Sequence, residues 1–87
     1  MRFSVRLSDR AAKDLDRLNR DIQQRMLRRF EQLSDAPFDS RLSGPLKNTT
    51  LRKSRIGGWR IIFLANREST TIEVVTIERR GQVYQRI

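Results

Sequence analysis

Four cations surround a glycine pair in the stretch LRKSRIGGWR, residues 51–60, which contains no acidic residue. Side chains alternate between the two faces of a strand, so Lys53 and Arg55, two residues apart, are expected on the same face. A two-residue hairpin turn at the glycine pair would place Arg55 opposite Arg60, and residues directly opposite each other also share a face. We therefore predict a patch of Lys53, Arg55 and Arg60 that stabilises negative charge building on a phosphate.

A second basic cluster, Arg79 and Arg80, precedes Tyr84 near the end of the sequence. An aromatic ring beside arginines is suited to stacking on an unpaired RNA base. We therefore add Arg80 and Tyr84 to the candidate catalytic residues, and the spacing also allows Arg79 in place of Arg80. The candidate RNA contacts outside this set are Arg52, Arg79, Arg2 and Arg6.

Cleavage of RNA by its own 2′-hydroxyl needs a group that takes up the hydroxyl proton, in addition to cations around the phosphate. The sequence has no histidine, which is the residue that most often serves as general base. Three residues remain as candidates for this role, and their types do not decide among them: Lys53, Tyr84 and Glu78.

The composition favours a polyanionic partner. There are 19 Lys and Arg residues against 10 Asp and Glu, a formal net charge of +9, and 16 of the 19 cations are Arg. Arginine presents a planar donor fork that matches phosphate, so nucleic acid is the expected partner class. The absence of cysteine and histidine excludes disulfides and the usual transition-metal sites, and we expect no metal and no cofactor.

The length of 87 residues predicts a single domain over residues 1–87. The first ten residues alternate charged and apolar side chains, so we expect no signal peptide. No segment approaches the ~20 apolar residues needed to cross a bilayer. The sequence therefore predicts a cytoplasmic protein without a membrane contact.

Hydrophobic spacing predicts the elements that must position the candidate residues. Residues 2–7 alternate as a half-buried strand. Two apolar stripes at helical spacing follow up to residue 35, with a break at 19–21 that makes an αα-hairpin. Residues 38–50 are typical of a surface loop. Three strands are then predicted, of which the second is apolar on both faces and therefore central: 51–56, 59–65 and 71–77.

This order of elements predicts an α+β domain. It would contain an N-terminal strand, an αα-hairpin, and then an antiparallel three- to four-stranded sheet with the helices packed on one face. Residues 78–87 would supply the possible last strand.

The chain resembles the RelE/ParE superfamily of toxins from bacterial and archaeal toxin–antitoxin pairs, and most closely the RelE-type ribosome-dependent mRNA endonucleases. Five segments in the same order carry the resemblance: SDRAAKDLDRL, DAPFD, GPLKN, SRIGGWRIIF and VVTIERRGQVYQ. The resemblance implies a RelE-like fold and metal-independent cleavage of mRNA in the ribosomal decoding site. The positions that match the superfamily's functional residues are Lys53, Arg55, Arg60, Arg80 or Arg79, and Tyr84.

The resemblance also implies partners. It implies a cognate antitoxin that covers or distorts the site, and a toxin–antitoxin complex that binds operator DNA through the antitoxin. Two other functions stay open for the same fold: a ParE-like inhibitor of DNA gyrase, and a non-catalytic nucleic-acid-binding module. Arg60, Arg80 and Tyr84 together favour the endonuclease, because a gyrase inhibitor needs no converging cations and aromatic ring.

Overall fold

The computed structural model describes residues 2–79, which form two helices and five strands. Neither helix in this range is long and apolar enough to span a membrane. In chain order the elements are β1 Ser4–Leu7, α1 Asp9–Asp16, α2 Arg20–Asp35, β2 Gly44–Pro45, β3 Arg52–Ile56, β4 Trp59–Asn66 and β5 Thr71–Arg79.

The five strands form one sheet in the order β1-β5-β4-β3-β2. Strands β3, β4 and β5 pair antiparallel, which confirms the three predicted strands, and β2 adds a fourth antiparallel strand next to β3. The fourth of these strands is β2, two residues within the predicted loop 38–50, and not a strand at the C-terminus. A two-residue strand is too short to show alternation. From Arg80 onward, the predicted last strand lies outside the described residues.

Strand β1 joins the sheet in parallel pairing with β5 and makes the sheet mixed. Its alternation predicted a strand but not its partner. The chain leaves β1, passes through both helices and three further strands, and returns in the same direction as β5. Such a pairing depends on contacts between residues far apart in sequence, which local patterns do not carry.

Both helices begin where the sequence supplies a capping side chain. The Ser8 hydroxyl accepts a hydrogen bond from the backbone N–H of Ala11 at 3.0 Å, and the Asn19 side-chain oxygen accepts one from Ile22 at 3.0 Å. These bonds satisfy backbone donors that a helix leaves free in its first turn. The short break between α1 and α2, residues 17–19, produces the αα-hairpin predicted from the sequence.

The helices cover one face of the sheet and form the core with it. Met26, Phe30 and Leu33 of α2 are buried against the inward side chains of the central strands. The inward residues on the sheet are Ile56, Ile61, Phe63, Ile72, Val74 and Ile77. Trp59 of β4 is half-buried and packs against this cluster. The predicted packing of the helices on one face is confirmed.

Asp14 attaches α1 to β5 beside an irregularity in the sheet. The register of β4 and β5 shifts between Ile62 and Phe63, which leaves Val75 as an extra residue of β5. Strand β1 pairs with β5 only as far as Val74. Beyond that point the Asp14 carboxylate accepts hydrogen bonds from the Ile77 backbone N–H and the Thr76 hydroxyl, both at 3.0 Å. The carboxylate thus replaces a strand partner.

Replacing Asp14 with alanine should lower the free energy of unfolding. The substitution leaves the Ile77 amide and Thr76 hydroxyl without their acceptor, and an unsatisfied buried polar group costs about 1–3 kcal/mol. Urea unfolding followed by circular dichroism measures the change. Asp16→Ala, on an exposed position of the same helix, is the matched control and should change stability by less. Equal effects of the two substitutions would contradict the docking role of Asp14.

Candidate nucleic-acid interface

Lys53, Arg55 and Arg60 lie on the face of the sheet opposite the helices, here called the site face. In the β3–β4 register, Arg55 is opposite Arg60 and Lys53 is opposite Ile62. The residues that alternate with them, Ser54 and Ile56 on β3 and Ile61 on β4, point inward and are buried. The hairpin therefore brings the three cations to one face, as pleat alternation and the two-residue turn predict.

Glu78 binds Arg60 on the site face. The two residues are opposite each other in the β4–β5 register. One Glu78 carboxylate oxygen accepts a hydrogen bond from Arg60 Nε at 2.9 Å and lies 2.8 Å from Nη2 in an ion pair. Only 13% of the Arg60 side chain is exposed. Glu78 thus holds the guanidinium in a fixed orientation and offsets its charge, while Lys53 and Arg55 make no ion pair with any residue in 2–79.

Arg29 of α2 supports β3 from the helical side. Its Nη1 donates to the Ser54 hydroxyl at 2.7 Å and to the Arg55 carbonyl at 3.0 Å, and its Nε donates to the Gln32 side chain at 2.9 Å. Ser54 in turn donates to the Leu42 carbonyl at 2.7 Å. Sequence reasoning missed Arg29. The available signal was Ser54, because a polar residue at an inward strand position requires a buried hydrogen-bond partner.

Two predicted RNA contacts point away from the site face. Arg52 donates from Nε to the Ser43 hydroxyl at 3.0 Å, and its guanidinium carbon lies 5.1 Å from the centre of the Phe38 ring. Arg79 is paired with Trp59, and its guanidinium carbon lies 5.5 Å from the centre of that ring. Both arginines therefore bind aromatic or polar groups on the helical side of the sheet.

The other predicted residues lie at the far edge of the sheet or outside the described range. Arg2 forms ion pairs with Asp35 at 2.8 Å and Glu31 at 3.3 Å. Arg6 is on β1, opposite Glu73, at the far edge of the sheet from Lys53. Arg80 and Tyr84 lie outside the described residues, so their roles remain predictions.

A cavity of about 250 Å³ adjoins the site face, between β3 and the loop before it. Its cationic lining residues are Arg29, Arg41, Lys53 and Arg55, and no acidic side chain lines it. Within residues 2–79, no group of three histidine, cysteine or acidic residues is arranged to hold a metal ion. The chemistry that these groups can perform is therefore the binding of an anion by guanidinium and ammonium donors.

The arrangement of two helices on a mixed sheet is shared with solved toxin structures. The toxin of the RelBE2 toxin–antitoxin complex from Mycobacterium tuberculosis superposes with a TM-score of 0.82 at 25% identity, over 92% of this chain and 100% of that one. The archaeal RelE–RelB complex from Pyrococcus horikoshii gives 0.82 at 23% identity, over 94% and 99%. Isolated RelE from Escherichia coli gives 0.79 at 16% identity, over 97% and 93%.

This fold, together with a sequence-profile match over most of the chain, defines a toxin of the RelE/ParE superfamily, from type II toxin–antitoxin systems. The sequence profile described as "ParE toxin of type II toxin-antitoxin system, parDE" matches residues 5–84. The chain belongs to this ParE toxin family. No curated protein sequence shows significant similarity to it.

Arg41, at the mouth of the cavity, holds the pKa of the Asp39 carboxyl below its usual value. The side-chain hydrogen bonds from Arg41 are the main cause, at 2.8 Å from Nη2 and 3.2 Å from Nε, and the Arg41 backbone N–H adds another at 2.8 Å. A lowered pKa means that this interaction stabilises the fold above the ordinary carboxyl pKa. The stabilisation is lost as the pH falls through the lowered value.

Replacing Arg41 with glutamine should therefore raise the pKa of Asp39 toward its ordinary value. The backbone hydrogen bond stays, so the return should be incomplete. The carboxyl ¹³C chemical shift of Asp39, followed from neutral to acid pH, measures the change. Arg10→Gln, on α1, removes the same charge far from Asp39 and should leave the titration as in the parent. An Asp39 titration that is the same in both variants would exclude Arg41 as the cause.

Proposed function

We propose that this toxin is an endoribonuclease that cleaves mRNA on the ribosome by attack of the RNA 2′-hydroxyl on the adjacent phosphate, without a metal ion. The observation that carries the proposal is the pairing of Arg55 with Arg60 on the site face, with Lys53 beside them. Three cations held on one rigid hairpin form a preorganised site for a phosphate. Such donors stabilise the extra negative charge of the transition state without reorganising during the reaction.

Each proposed residue has a distinct part in this reaction. Arg60, oriented by Glu78, and Arg55 bind the phosphate oxygens. Arg80 adds a further cation, and Tyr84 stacks on or orients a base next to the cleaved bond. Lys53 lies beside the phosphate position and takes up the 2′ proton in its uncharged amine form. As the 2′-oxygen bonds to phosphorus, the P–O5′ bond breaks and the 5′-oxygen leaves with a proton from water. The ribosome supplies a bent mRNA strand, and positioning alone lowers a barrier by roughly 7–11 kcal/mol.

The partners of the solved relatives support a toxin that is controlled by binding. The RelBE2 structure from M. tuberculosis and the RelE–RelB structure from P. horikoshii are toxin–antitoxin complexes. We propose that this chain also binds a cognate antitoxin, which covers the site face and carries the complex to operator DNA. Its place of action is the cytoplasm, where ribosomes translate mRNA.

The family description favours one other function. The matching profile is named for ParE, and the ParE-like alternative is inhibition of DNA gyrase by direct binding. A gyrase inhibitor shares the fold but does not require Arg55 and Arg60 to face each other. The two functions therefore differ in what Arg60 does, and the fold cannot separate them.

Induction of the toxin in cells, followed by mapping of mRNA 5′ ends, tests the endonuclease. We expect new 5′ ends within translated codons. Arg60→Ala should reduce their rate of formation by about 10²–10³-fold, the usual cost of one preorganised donor to a developing oxyanion. Tyr84→Phe should reduce it as well. Arg10→Ala removes the same charge from α1 and should cleave like the parent.

Growth arrest with intact mRNA and an induced DNA-damage response would overturn the proposal in favour of the gyrase inhibitor. Equal cleavage by the Arg60 and Arg10 variants would remove Arg60 from the site.

Glu78→Gln separates an ion-pair role of Glu78 from a role as general base. Glutamine retains a hydrogen-bonding oxygen for Arg60 but removes the negative charge, so we expect a lower KM for ribosome-bound mRNA and a kcat of the same order. A general base would instead contribute about 10²–10⁴-fold to kcat. Single-turnover cleavage on programmed ribosomes measures both constants. Glu73→Gln removes the same charge elsewhere on β5 and is the matched control.

A kcat that falls at least a hundredfold in Glu78→Gln alone would identify Glu78 as the base and would remove that role from Lys53.

A further inference from the structure

Five cations surround the edge of β3 beyond the point where β2 ends; they are called the basic edge. They line two adjoining cavities of about 250 and 260 Å³, and Arg29 and Arg55 belong to both. Strand β2 pairs only with Arg52 and Lys53. The outer edge of the rest of β3, on the side away from β4, therefore has no strand partner and lies next to α2. The members of the basic edge are Arg25, Arg28, Arg29, Lys53 and Arg55.

The positive charge of the basic edge has no counter-charge among the described residues 2–79. None of its five members forms an ion pair with a residue in 2–79, and no acidic side chain lines either cavity. Residues 80–87 contain no Asp or Glu, so no acidic side chain exists in that segment. By contrast, Arg2, Arg41 and Arg60 are each bound to a carboxylate. The basic edge therefore brings together five cations that no carboxylate of residues 2–79 neutralises.

Arg29 lies at the centre of the basic edge, and no carboxylate within residues 2–79 offsets its charge. All acceptors of its Nε and Nη1 donors are neutral: the Gln32 side chain, the Ser54 hydroxyl and backbone carbonyls. Its Nη2 donates to no acceptor within residues 2–79. A half-buried guanidinium that is fixed by neutral groups keeps its charge and offers a preorganised donor, which favours an anion in the adjoining cavities.

Arg25 and Arg28 extend this surface along the exposed side of α2. Residues three or four positions apart share a helix face, so Arg25, Arg28 and Arg29 form one row. The Arg25 guanidinium lies over Gly57, 3.5 Å from the position that a Cβ would occupy there, and Gly57 has a φ of +55°. The Arg25 guanidinium therefore lies against the hairpin turn, beside the end of β3.

We propose that the basic edge is a second phosphate-binding site, which holds successive phosphodiester groups of one RNA strand. The inference rests on the proposed function to the extent that RNA is the ligand. The two cavities meet at Arg29 and Arg55, and Arg55 also belongs to the site face, so one strand can pass from the site face into the cavities. No aromatic ring lines either cavity, so the site binds the RNA backbone and does not read bases.

Two sources of RNA have this chemistry, namely the mRNA next to the cleaved bond and the ribosomal RNA around the decoding site. The experiment uses the double variant Arg25→Gln/Arg28→Gln. Both residues are exposed, and neither is among the proposed catalytic residues. The control is Arg10→Gln/Arg17→Gln, which removes the same charge from exposed positions of the α1 segment. Thermal unfolding should be unchanged in both.

Binding is measured against salt concentration, first with a single-stranded RNA that carries 2′-O-methyl sugars and cannot be cleaved, and then with programmed ribosomes. Each lost phosphate contact should lower the slope of log affinity against log salt by about 0.7, so the Arg25/Arg28 variant should lose about 1.4. A loss with free RNA assigns the site to mRNA. A loss with ribosomes alone assigns it to ribosomal RNA.

Slopes equal to those of the Arg10/Arg17 control in both measurements would overturn the second site. Because binding is measured without cleavage, the outcome is separate from that of the proposed function. Cleavage of mRNA, together with salt slopes equal to those of the control, would support the endonuclease and contradict the second phosphate-binding site. A reduced slope in a protein that does not cleave mRNA would support the second phosphate-binding site and contradict the endonuclease.

Discussion

The pleat of the β3–β4 hairpin is the constraint on which the rest of the structure depends. Ile56 and Ile61 must point into the core, and alternation then turns Arg55 and Arg60 to the opposite face. A slip by one residue would exchange the two sets and bury unpaired cations, which is far more costly than losing the apolar contacts alone. The same strand register therefore buries the apolar residues and exposes the cations. Stability and the candidate site are not independent properties of this hairpin.

Helix α2 links the core to the charged surface in a similar way. Met26, Phe30 and Leu33 bury one side of the helix, while Arg25 and Arg28 lie on the exposed side. Arg29 connects the two because it binds Ser54 and the backbone of β3 along an edge that no strand covers. Lateral pairing to another chain is a hazard of such an edge, and a bound guanidinium blocks it. The charge that closes the edge is also available to an anion.

Local patterns determined much of this protein. The capping residues Ser8 and Asn19 set where the helices begin, and both bonds close within a few residues. The glycine pair set the hairpin register, so the shared face of Lys53, Arg55 and Arg60 followed from alternation and turn length. These features depend on neighbours in sequence, and a single sequence therefore carries them.

The tertiary structure alone decided how separate segments meet. It placed β1 parallel to β5, made Asp14 a partner for the free edge of β5, and joined Glu78 to Arg60 across two strands. It also brought Arg29 to Ser54 and Arg52 to Ser43. Each of these contacts joins segments that are separate in sequence. They meet only when the sheet is formed and the helices pack on it. Thus the sequence by itself determined which cations share the hairpin face, and the tertiary structure determined which of them are neutralised.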